Sequence, residues 1–201
     1  MSQTRILLIR HGQSEWNASG RWQGWADPPL SSLGRRQAHG AAEFVGSVDA
    51  IVSSDLIRAT ETAVIISEAI GVGPVIVDER LRERDIGEWT GLTHAEIEEG
   101  WPGRLAMRPF HPPGGEHRDQ VIERVLKGLS DVAISHRGGE VLVIAHGGVI
   151  RNLERHLGTD PATLPNLGGV ELIFNKDQMI LGERLLLLDP GKDITTTPYQ
   201  L

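Results

Sequence analysis

The sequence contains no cysteine among its 201 residues, and this absence excludes several kinds of chemistry. Without cysteine there is no disulfide framework, no thiolate nucleophile and no zinc site built on sulfur ligands. Lysine is also scarce, with 3 residues against 17 arginines. This bias is explained either by the base composition of the genome or by a preference for arginine at phosphate contacts. Only the positions of individual arginines can distinguish these two explanations.

Long hydrophobic runs are absent as well. The longest apolar runs are far shorter than the ~20 residues that a membrane-spanning helix needs, so we expect no membrane partner. The N-terminal residues lack the charged, apolar and small-residue regions of a signal peptide, which predicts a cytoplasmic protein. The net charge of −7 argues against nucleic acid as a partner, because nucleic-acid-binding proteins carry an excess of basic residues.

The order of predicted strands and helices indicates an α/β fold. Apolar runs predict strands at residues 4–9, 50–52, 75–77, 140–145, 169–175 and 179–188, with a tight turn at 176–177. Helical spacing and cap residues predict helices at 31–45, 53–70, 93–99, from 119 onwards and at 148–157. This alternation predicts a three-layer sandwich, in which helices cover both faces of a mostly parallel sheet that ends in an antiparallel hairpin. The polar last dozen residues are expected to form a loose tail.

Polar residues follow four of the predicted strands, at the point where each strand ends. Since the carboxyl ends of parallel strands meet at one edge of a sheet, we expect these groups to converge there. The residues concerned are Arg10 and His11, Arg58 after Ser53-Ser54-Asp55, Glu83, and His146 with Gly147. Any one histidine or arginine at a strand end is more often structural, so the convergence is the stronger signal.

These residue types suit phosphoryl chemistry. Arg10 and Arg58 supply two planar forks for phosphate oxygens, and a helix beginning near Gly148 adds backbone N–H donors. A neutral imidazole, of either His11 or His146, is a good nucleophile toward phosphorus. Glu83 is the candidate proton donor to a leaving alkoxide, and the alternative for Glu83 is an ion pair with Arg82 or Arg84.

Motifs along most of the chain resemble one family. The motifs are Arg10-His11-Gly12-Gln13-Ser14-Glu15-Trp16-Asn17, Arg21-Trp22-Gln23-Gly24, Asp27-Pro28-Pro29-Leu30-Ser31 with Gly34, Ser53-Ser54-Asp55-Leu56-Ile57-Arg58-Ala59 with Thr62-Ala63, Leu81-Arg82-Glu83 with Gly87-Glu88-Trp89-Thr90-Gly91-Leu92, Pro113-Gly114-Gly115-Glu116, and His146-Gly147-Gly148-Val149-Ile150-Arg151. Together they resemble the histidine phosphatase superfamily, in its phosphoglycerate mutase-like branch. The octapeptide at 10–17 and the second histidine block are the most specific of them.

The resemblance implies roles for individual residues. It implies a phosphohistidine on His11, and Glu83 as proton donor and then as base for water. The phosphate pocket implied in this way consists of Arg10, Arg58 and His146, and the positions that line phosphate or substrate are Asn17, Gln23, Gly24 and Gly147. The family needs no metal, and we expect no metal or other cofactor here. His111 and His117 flank a Pro-Gly loop but lack the spacing of a zinc motif.

Departures from the mutase pattern favour a phosphatase that acts on a small phosphorylated metabolite. The chain is short, and its insert offers Arg104, Arg108 and Arg118 but no adjacent Arg pair and no Lys. It has Arg84-Asp85-Ile86-Gly87 where mutases typically have Arg-His-Tyr-Gly, and Gly148 where they have Asn. The stretch at 13–17 is nevertheless mutase-like, so the alternative is a 2,3-bisphosphoglycerate-dependent phosphoglycerate mutase. His117 also stands where phosphatases usually have Ser.

We expect the chain to form a single domain, residues 1–201. An insert at about 92–118, which contains an irregular segment at 101–115, is expected to cap the site of this domain. The apolar residues of the insert form either a small separate core or an apolar wall for the leaving group, and Trp22, Trp25 and Trp89 present the same alternative. A binding module without catalysis is disfavoured, because His11, Glu83 and His146 are all present. The sequence leaves the physiological substrate and the oligomeric state open, with a homodimer as one arrangement.

Overall fold

The computed structural model of the chain describes residues 3–107, 110–175 and 178–189. Its strands are β1 (Thr4–Arg10), β2 (Ala50–Ser53), β3 (Ile76–Val77), β4 (Glu140–Ala145), β5 (Gly168–Asn175) and β6 (Gln178–Leu186). Its α-helices are α1 (Glu15–Ala18), α2 (Ser32–Ala41), α3 (Ile57–Ile70), α4 (His94–Gly100), α5 (Arg118–Ser135) and α6 (Gly147–His156). Short 3₁₀ helices lie at Glu79–Leu81, Gly87–Trp89 and Arg104–Ala106.

The strands form one six-stranded sheet in the order β3-β2-β4-β1-β5-β6. The four strands from β3 to β1 in this order run parallel to one another, whereas β5 is antiparallel to β1 and β6 is antiparallel to β5. The predicted α/β class, with a mostly parallel sheet and a late antiparallel hairpin, is therefore confirmed. The turn predicted at 176–177 and the tail predicted for the last dozen residues lie outside the described residues.

Successive side chains of β1 point to opposite faces of the sheet, as the period of a strand requires. Leu7 and Ile9 pack in a core that also contains Ala59, Ala63 and Ile66 of α3. Ile6 and Leu8 pack in a second core on the other face, whose helical members come from α5 and α6. Helices thus cover both faces of the sheet, and the predicted three-layer arrangement is present.

A third cluster lies apart from these two cores and is rich in aromatic rings. This aromatic cluster is made of Trp22, Ile86, Trp89, Ile97 and Leu105, with Leu92, Trp101 and Phe110 packed against it. Its rings meet at centroid distances between 5.8 and 6.2 Å. Trp101, Leu105 and Phe110 of the segment at 101–115 therefore pack in a small core that they share with residues outside the segment, whereas Met107 is exposed.

Two helix boundaries differ from the prediction. Helix α3 begins at Ile57, after the predicted start at Ser53, because Ser53 is the last residue of β2 and Asp27 caps the helix from a distant loop. The Asp27 carboxylate accepts the N–H of Ile57 at 2.6 Å. Helix α2 ends at Ala41 and turns follow it, whereas the helix was expected to reach residue 45. The one-turn helix α1 was not predicted.

Candidate active site

The carboxyl ends of β1, β2 and β4 lie side by side at one edge of the sheet. This arrangement brings four of the predicted residues together. Arg10 is the last residue of β1 and His11 follows it, Arg58 lies in the first turn of α3, and His146 follows β4. Glu83 reaches the same place from the loop after β3. A narrow pocket at this edge is lined by Arg10, His11, Asn17, Trp22, Gln23, Gly24, Arg58, Glu83, Ile86 and Gly147.

His11 is a neutral ring whose Nε2 atom carries the lone pair. Its Nδ1 lies 2.6 Å from the carbonyl oxygen of Gly12, and a carbonyl only accepts, so Nδ1 carries the proton. Burial, followed by the charges of Arg58 and Arg10, holds the pKa of His11 well below its usual value. Nε2 is therefore unprotonated near neutral pH, which is the form of imidazole that attacks an electrophile.

The ring of His146 stands edge-on to that of His11, with ring centroids 5.2 Å apart. Its Nε2 lies 2.9 Å from the Ser54 hydroxyl oxygen, while its Nδ1 is buried and has no hydrogen-bond partner among the described residues. Burial, followed by the charge of Arg58, lowers the pKa of His146 well below its usual value. An unmet buried polar atom costs about 1–3 kcal/mol, and Nδ1 is the ring nitrogen of His146 left to contact a ligand.

Arg10 and Arg58 place two positive charges in the pocket without a carboxylate bonded to either in the described residues. Arg10 donates to the carbonyl of Leu164 at 2.6 Å, and Arg58 donates to the carbonyls of Ala26 and Gly24 at 2.8 and 2.9 Å. Burial is the main reason that the pKa of each guanidinium falls to about 10. Both groups stay charged at neutral pH, so they form a site for an anion.

The Glu83 carboxylate is oriented by the backbone and makes no ion pair with its neighbours. It accepts the N–H of Arg84 at 2.8 Å and the N–H of Gly148, in the first turn of α6, at 3.0 Å. A Cβ atom at Gly148 would lie only 2.3 Å from Glu83 Oε1, so glycine is required for this approach. Arg82 bonds instead to Asp55, and the Arg84 side chain bonds to the Glu116 carbonyl. The structural alternative for Glu83, an ion pair with Arg82 or Arg84, is therefore absent.

The four residues expected to line phosphate or substrate, Asn17, Gln23, Gly24 and Gly147, all reach this pocket. Ser14 orients two of them, because its hydroxyl donates to Gln23 Oε1 at 2.7 Å and its N–H donates to Asn17 Oδ1 at 3.1 Å. With its oxygen engaged, Gln23 has its amide nitrogen left to donate to an anion. Gly147 is the first residue of α6, so the positive end of that helix adds to the field.

Two supports of the pocket were not predicted as such: Asn166 was not singled out, and Trp25 was considered only as a core residue or as part of an apolar wall. Asn166 is fully buried and donates to the carbonyl of His11 at 3.0 Å, which fixes the backbone of that residue. Trp25 donates from Nε1 to the carbonyl of Glu83 at 2.7 Å, so it supports Glu83 from the backbone. Trp25 carried a visible signal as one of only five tryptophans, whereas nothing local distinguishes Asn166 from other loop asparagines.

The other sequence candidates divide between this pocket and other parts of the molecule. The rings of His111 and His117 stack at 3.9 Å, outside this pocket. In the ranges described, no group of three or more His, Asp or Glu is arranged to hold a metal ion. Of the tryptophans in question, Trp22 lines the pocket, Trp89 is buried in the aromatic cluster, and Trp25 is 41% exposed. No helix in the described part of the chain is long and apolar enough to cross a membrane.

Comparison of the sequence with protein families gives a match over most of the chain. Residues 6–172 match the model of the histidine phosphatase superfamily (branch 1). The chain is 43% identical over 185 residues to a glucosyl-3-phosphoglycerate phosphatase of Mycobacterium tuberculosis, covering 85% of this chain and 82% of that protein. It is 38% identical over 159 residues to a metal-independent phosphoserine phosphatase of Arabidopsis thaliana, covering 74% of this chain and 66% of that protein.

Solved structures agree with the sequence comparison. A mycobacterial glucosyl-3-phosphoglycerate phosphatase in complex with VO3 superposes with a TM-score of 0.78 and 38% identity, over 90% of this chain and 97% of that one. A phosphoglycerate mutase from Bacillus anthracis superposes with a TM-score of 0.76 over 90% of this chain and 92% of that one, at 22% identity. The mutase therefore shares the fold, and its low identity supports no conclusion about activity.

Proposed function

The chain belongs to the histidine phosphatase superfamily (branch 1), and from this premise we propose that it hydrolyses small phosphomonoesters through a phosphohistidine on His11. The observation that carries the proposal is the state of the His11 ring. Its Nδ1 proton is committed to the Gly12 carbonyl and its pKa is depressed by burial and by two arginines, so Nε2 is available as a nucleophile. The same arginines that depress this pKa are the groups that attract a phosphate dianion.

The phosphoryl group is held by positive charge and by donors that converge on it. Arg10 and Arg58 bond to its oxygens, and they keep their orientation because backbone carbonyls hold them. The unmet Nδ1 of His146 and the amide nitrogen of Gln23 complete the set. Phosphoryl transfer depends mainly on positioning and on stabilising charge, which fixed donors supply without reorganisation.

In the first step, His11 Nε2 forms a bond to phosphorus while the bond between phosphorus and the ester oxygen breaks. The leaving oxygen takes a proton from Glu83, which acts here as the carboxylic acid. The product alcohol departs and leaves a phosphoryl group on His11 and a carboxylate on Glu83. The backbone N–H groups of Arg84 and Gly148 keep that carboxyl group in place through both steps.

In the second step, water replaces the alcohol. The Glu83 carboxylate takes a proton from water as the water oxygen bonds to phosphorus, and the bond between phosphorus and Nε2 breaks. Inorganic phosphate leaves, His11 returns to the neutral ring, and Glu83 is again the acid. Protons balance over the cycle, and one water is consumed for each ester hydrolysed.

The proposed substrate is a phosphorylated glycerate or a sugar–glycerate conjugate. Two observations support it: the relatives named above include glucosyl-3-phosphoglycerate phosphatases, and apolar groups of Trp22 and Ile86 line the pocket beside the phosphate donors. Residues at about 92–118 are proposed to cap the pocket of a single domain, because Trp22 and Ile86 belong to the same aromatic cluster as Trp101 and Phe110. The cytoplasmic location and the oligomeric state stay predictions.

A substrate panel tests the proposed function. The purified protein is assayed for phosphate release from glucosyl-3-phosphoglycerate, 3-phosphoglycerate, phosphoserine and an aryl phosphate. We expect phosphate release with the highest kcat/KM for the glycerate esters. A parallel assay follows conversion of 3-phosphoglycerate to its 2-isomer with and without 2,3-bisphosphoglycerate. Isomerisation that depends on the bisphosphate and exceeds phosphate release would overturn the proposal in favour of a mutase.

A further inference from the structure

A second pocket lies beside the first, between the N-terminal turn of α5 and the exposed side of α6. Its volume is about 560 Å³, within the range of roughly 300–1,000 Å³ that small-molecule sites occupy. None of its lining residues lines the catalytic pocket. The two pockets are neighbours at the Glu83–Arg84 peptide, because Glu83 lines the first and Arg84 lines the second.

The lining of the second pocket is strongly basic in a chain whose net charge is −7. Asp119 is the one acidic group among the lining residues. The basic groups are three arginines and three histidines: Arg84, Arg118, Arg155, His111, His117 and His156. The three arginines outnumber the single carboxylate, and such an excess of positive charge in a concave surface attracts anions.

Two of these arginines lack a carboxylate partner within the described residues. The Arg84 side chain is buried and bonds to the Glu116 carbonyl at 2.9 Å and to His111 Nδ1 at 3.3 Å. Arg118 donates to the side-chain oxygen of Asn152 at 3.1 Å. Burial, and then the charge of Arg118, lowers the pKa of Arg84, whereas the charges of Glu83 and Glu116 raise it, so Arg118 is a repulsive neighbour of Arg84. Their mutual repulsion would be relieved by an anion bound between them.

The groups are also held in place before any ligand arrives. The Arg84 guanidinium lies over the Phe110 ring, 5.7 Å from its centroid, and the rings of His111 and His117 stack on one another. Burial, followed by the charges of His117, Arg84 and Arg104, lowers the pKa of His111. Surface arginines such as Arg80 are instead neutralised by aspartates. The second pocket therefore differs from an ordinary solvated charged surface.

We propose that this second pocket is a binding site for a small anion that carries a carboxylate or phosphate group, separate from the catalytic phosphate site. Arg84 and Arg118 are the principal contacts, and the stacked pair of His111 and His117 forms one wall. The experiment distinguishes two sources of this anion: the acidic group of a long substrate, or a free metabolite bound alongside the substrate. The proposal concerns binding and does not depend on the phosphohistidine mechanism.

Nuclear magnetic resonance of the histidine ring protons tests the site without using turnover. The catalytic pocket is first saturated with vanadate, which is verified by loss of aryl phosphatase activity, and 3-phosphoglycerate is then titrated. We expect saturable shifts of the His111 and His117 signals. Arg118→Gln, which keeps a polar partner for Asn152, should weaken the binding about tenfold, since it removes a charge-assisted contact. The exposed-site control Arg36→Gln should bind as the wild type does.

A second variant guards against the case in which Arg118→Gln misfolds. Steady-state kinetics then shows whether the bound anion is part of the substrate or a free metabolite. His117→Ser retains a side chain that can cap α5, and it should also weaken the shift at His111. If Arg118→Gln raises KM for 3-phosphoglycerate and leaves KM for an aryl phosphate unchanged, the anion is the acidic group of the substrate. If both KM values are unchanged while binding is weakened, it is a free metabolite. Absence of a saturable shift in the wild type, or equal affinity in Arg118→Gln, would overturn the proposal.

Discussion

The catalytic pocket and the aromatic cluster lie next to each other, yet different forces build them. The two regions share Trp22 and Ile86, but the charged side chains of the pocket come mainly from the ends of parallel strands and are fixed by backbone groups, as when the Leu164 carbonyl holds Arg10. The cluster consists of Trp89 and its neighbours, held by ring packing in an irregular segment. We infer that chemistry and selectivity are divided between them. Changes in the pocket should affect every substrate, and changes in the cluster should affect mainly the bulky ones.

The largest effect is expected at the proposed nucleophile. His11→Ala should reduce kcat more than about a thousandfold for every ester, because removal of a nucleophile leaves only binding and charge stabilisation. The measurement is phosphate release from both 3-phosphoglycerate and an aryl phosphate. His39→Ala, at an exposed position, is the control and should retain full activity. Normal turnover in His11→Ala would reject the assigned role of His11.

Loss of a phosphate-binding guanidinium should come next. Arg58→Gln should lower kcat/KM by a factor of about 10²–10³ for large and small esters alike. This is the typical effect of removing one hydrogen-bond donor to charge that develops in the transition state. The exposed-site variant Arg137→Gln is the control. Melting temperatures of both variants show whether the folded protein is being assayed. A loss confined to bulky substrates would contradict the division drawn above.

Gly148 offers a sharper test of how Glu83 is positioned. Gly148→Ala introduces a Cβ that would lie 2.3 Å from Glu83 Oε1, so the carboxyl group must move. We expect hydrolysis of alkyl phosphates to slow by about 10²-fold and hydrolysis of aryl phosphates to change little, since only a poor leaving group needs a strong acid. Glu83→Gln should show the same pattern. Equal slowing of both ester classes by either variant would count against Glu83 as the proton donor.

The buried histidines should make stability depend on pH. Above about pH 6.5 the ring of His146 is neutral in both the folded and the unfolded state. Because its folded-state pKa is depressed, lowering the pH protonates the unfolded state first, and stability is lost as the pH falls below 6.5. His146→Asn should reduce this loss by up to about 1.4 kcal/mol per pH unit in urea unfolding. An unchanged slope in His146→Asn would contradict the account.

The smallest effect is expected in the aromatic cluster. Trp101 packs edge-on against Trp89 at 6.2 Å, at the edge of the cluster. Trp101→Ala should raise KM for a sugar–glycerate phosphate several-fold and leave kcat for an aryl phosphate nearly unchanged. Steady-state kinetics on the two substrates checks this. A large drop in kcat for both would show that the cluster supports the chemistry directly.

Local patterns predicted the regular elements well. The strand predicted at 140–145 has the same first and last residues as β4. Its bounds were predictable because a short apolar run is typical of a buried strand. The predicted inward face of α5 is likewise buried at Val121, Val125, Leu129 and Val132, since helical spacing records burial directly. The convergence of polar groups at the sheet edge followed from the parallel order alone, which places the ends of neighbouring strands together.

Contacts between distant segments could not be predicted in this way. Asp27 caps α3 from a loop 30 residues earlier, and Asn166 holds the carbonyl of His11 across 155 residues. Neither residue carries a local pattern that names its partner. The close approach of Glu83 to Gly148 depends likewise on how α6 sits against the loop after β3. The residues of the site were therefore accessible from the sequence, whereas the supports that orient them were not.

Trapping of the intermediate tests the central claim most directly. The wild-type protein is mixed with a ³²P-labelled monoester, quenched in alkali within the first turnover, and digested into peptides. We predict label on the peptide that contains His11, stable in alkali and lost in acid, and no label in His11→Ala. Multiple turnovers without any acid-labile phosphopeptide, or label that persists in His11→Ala, would contradict the account.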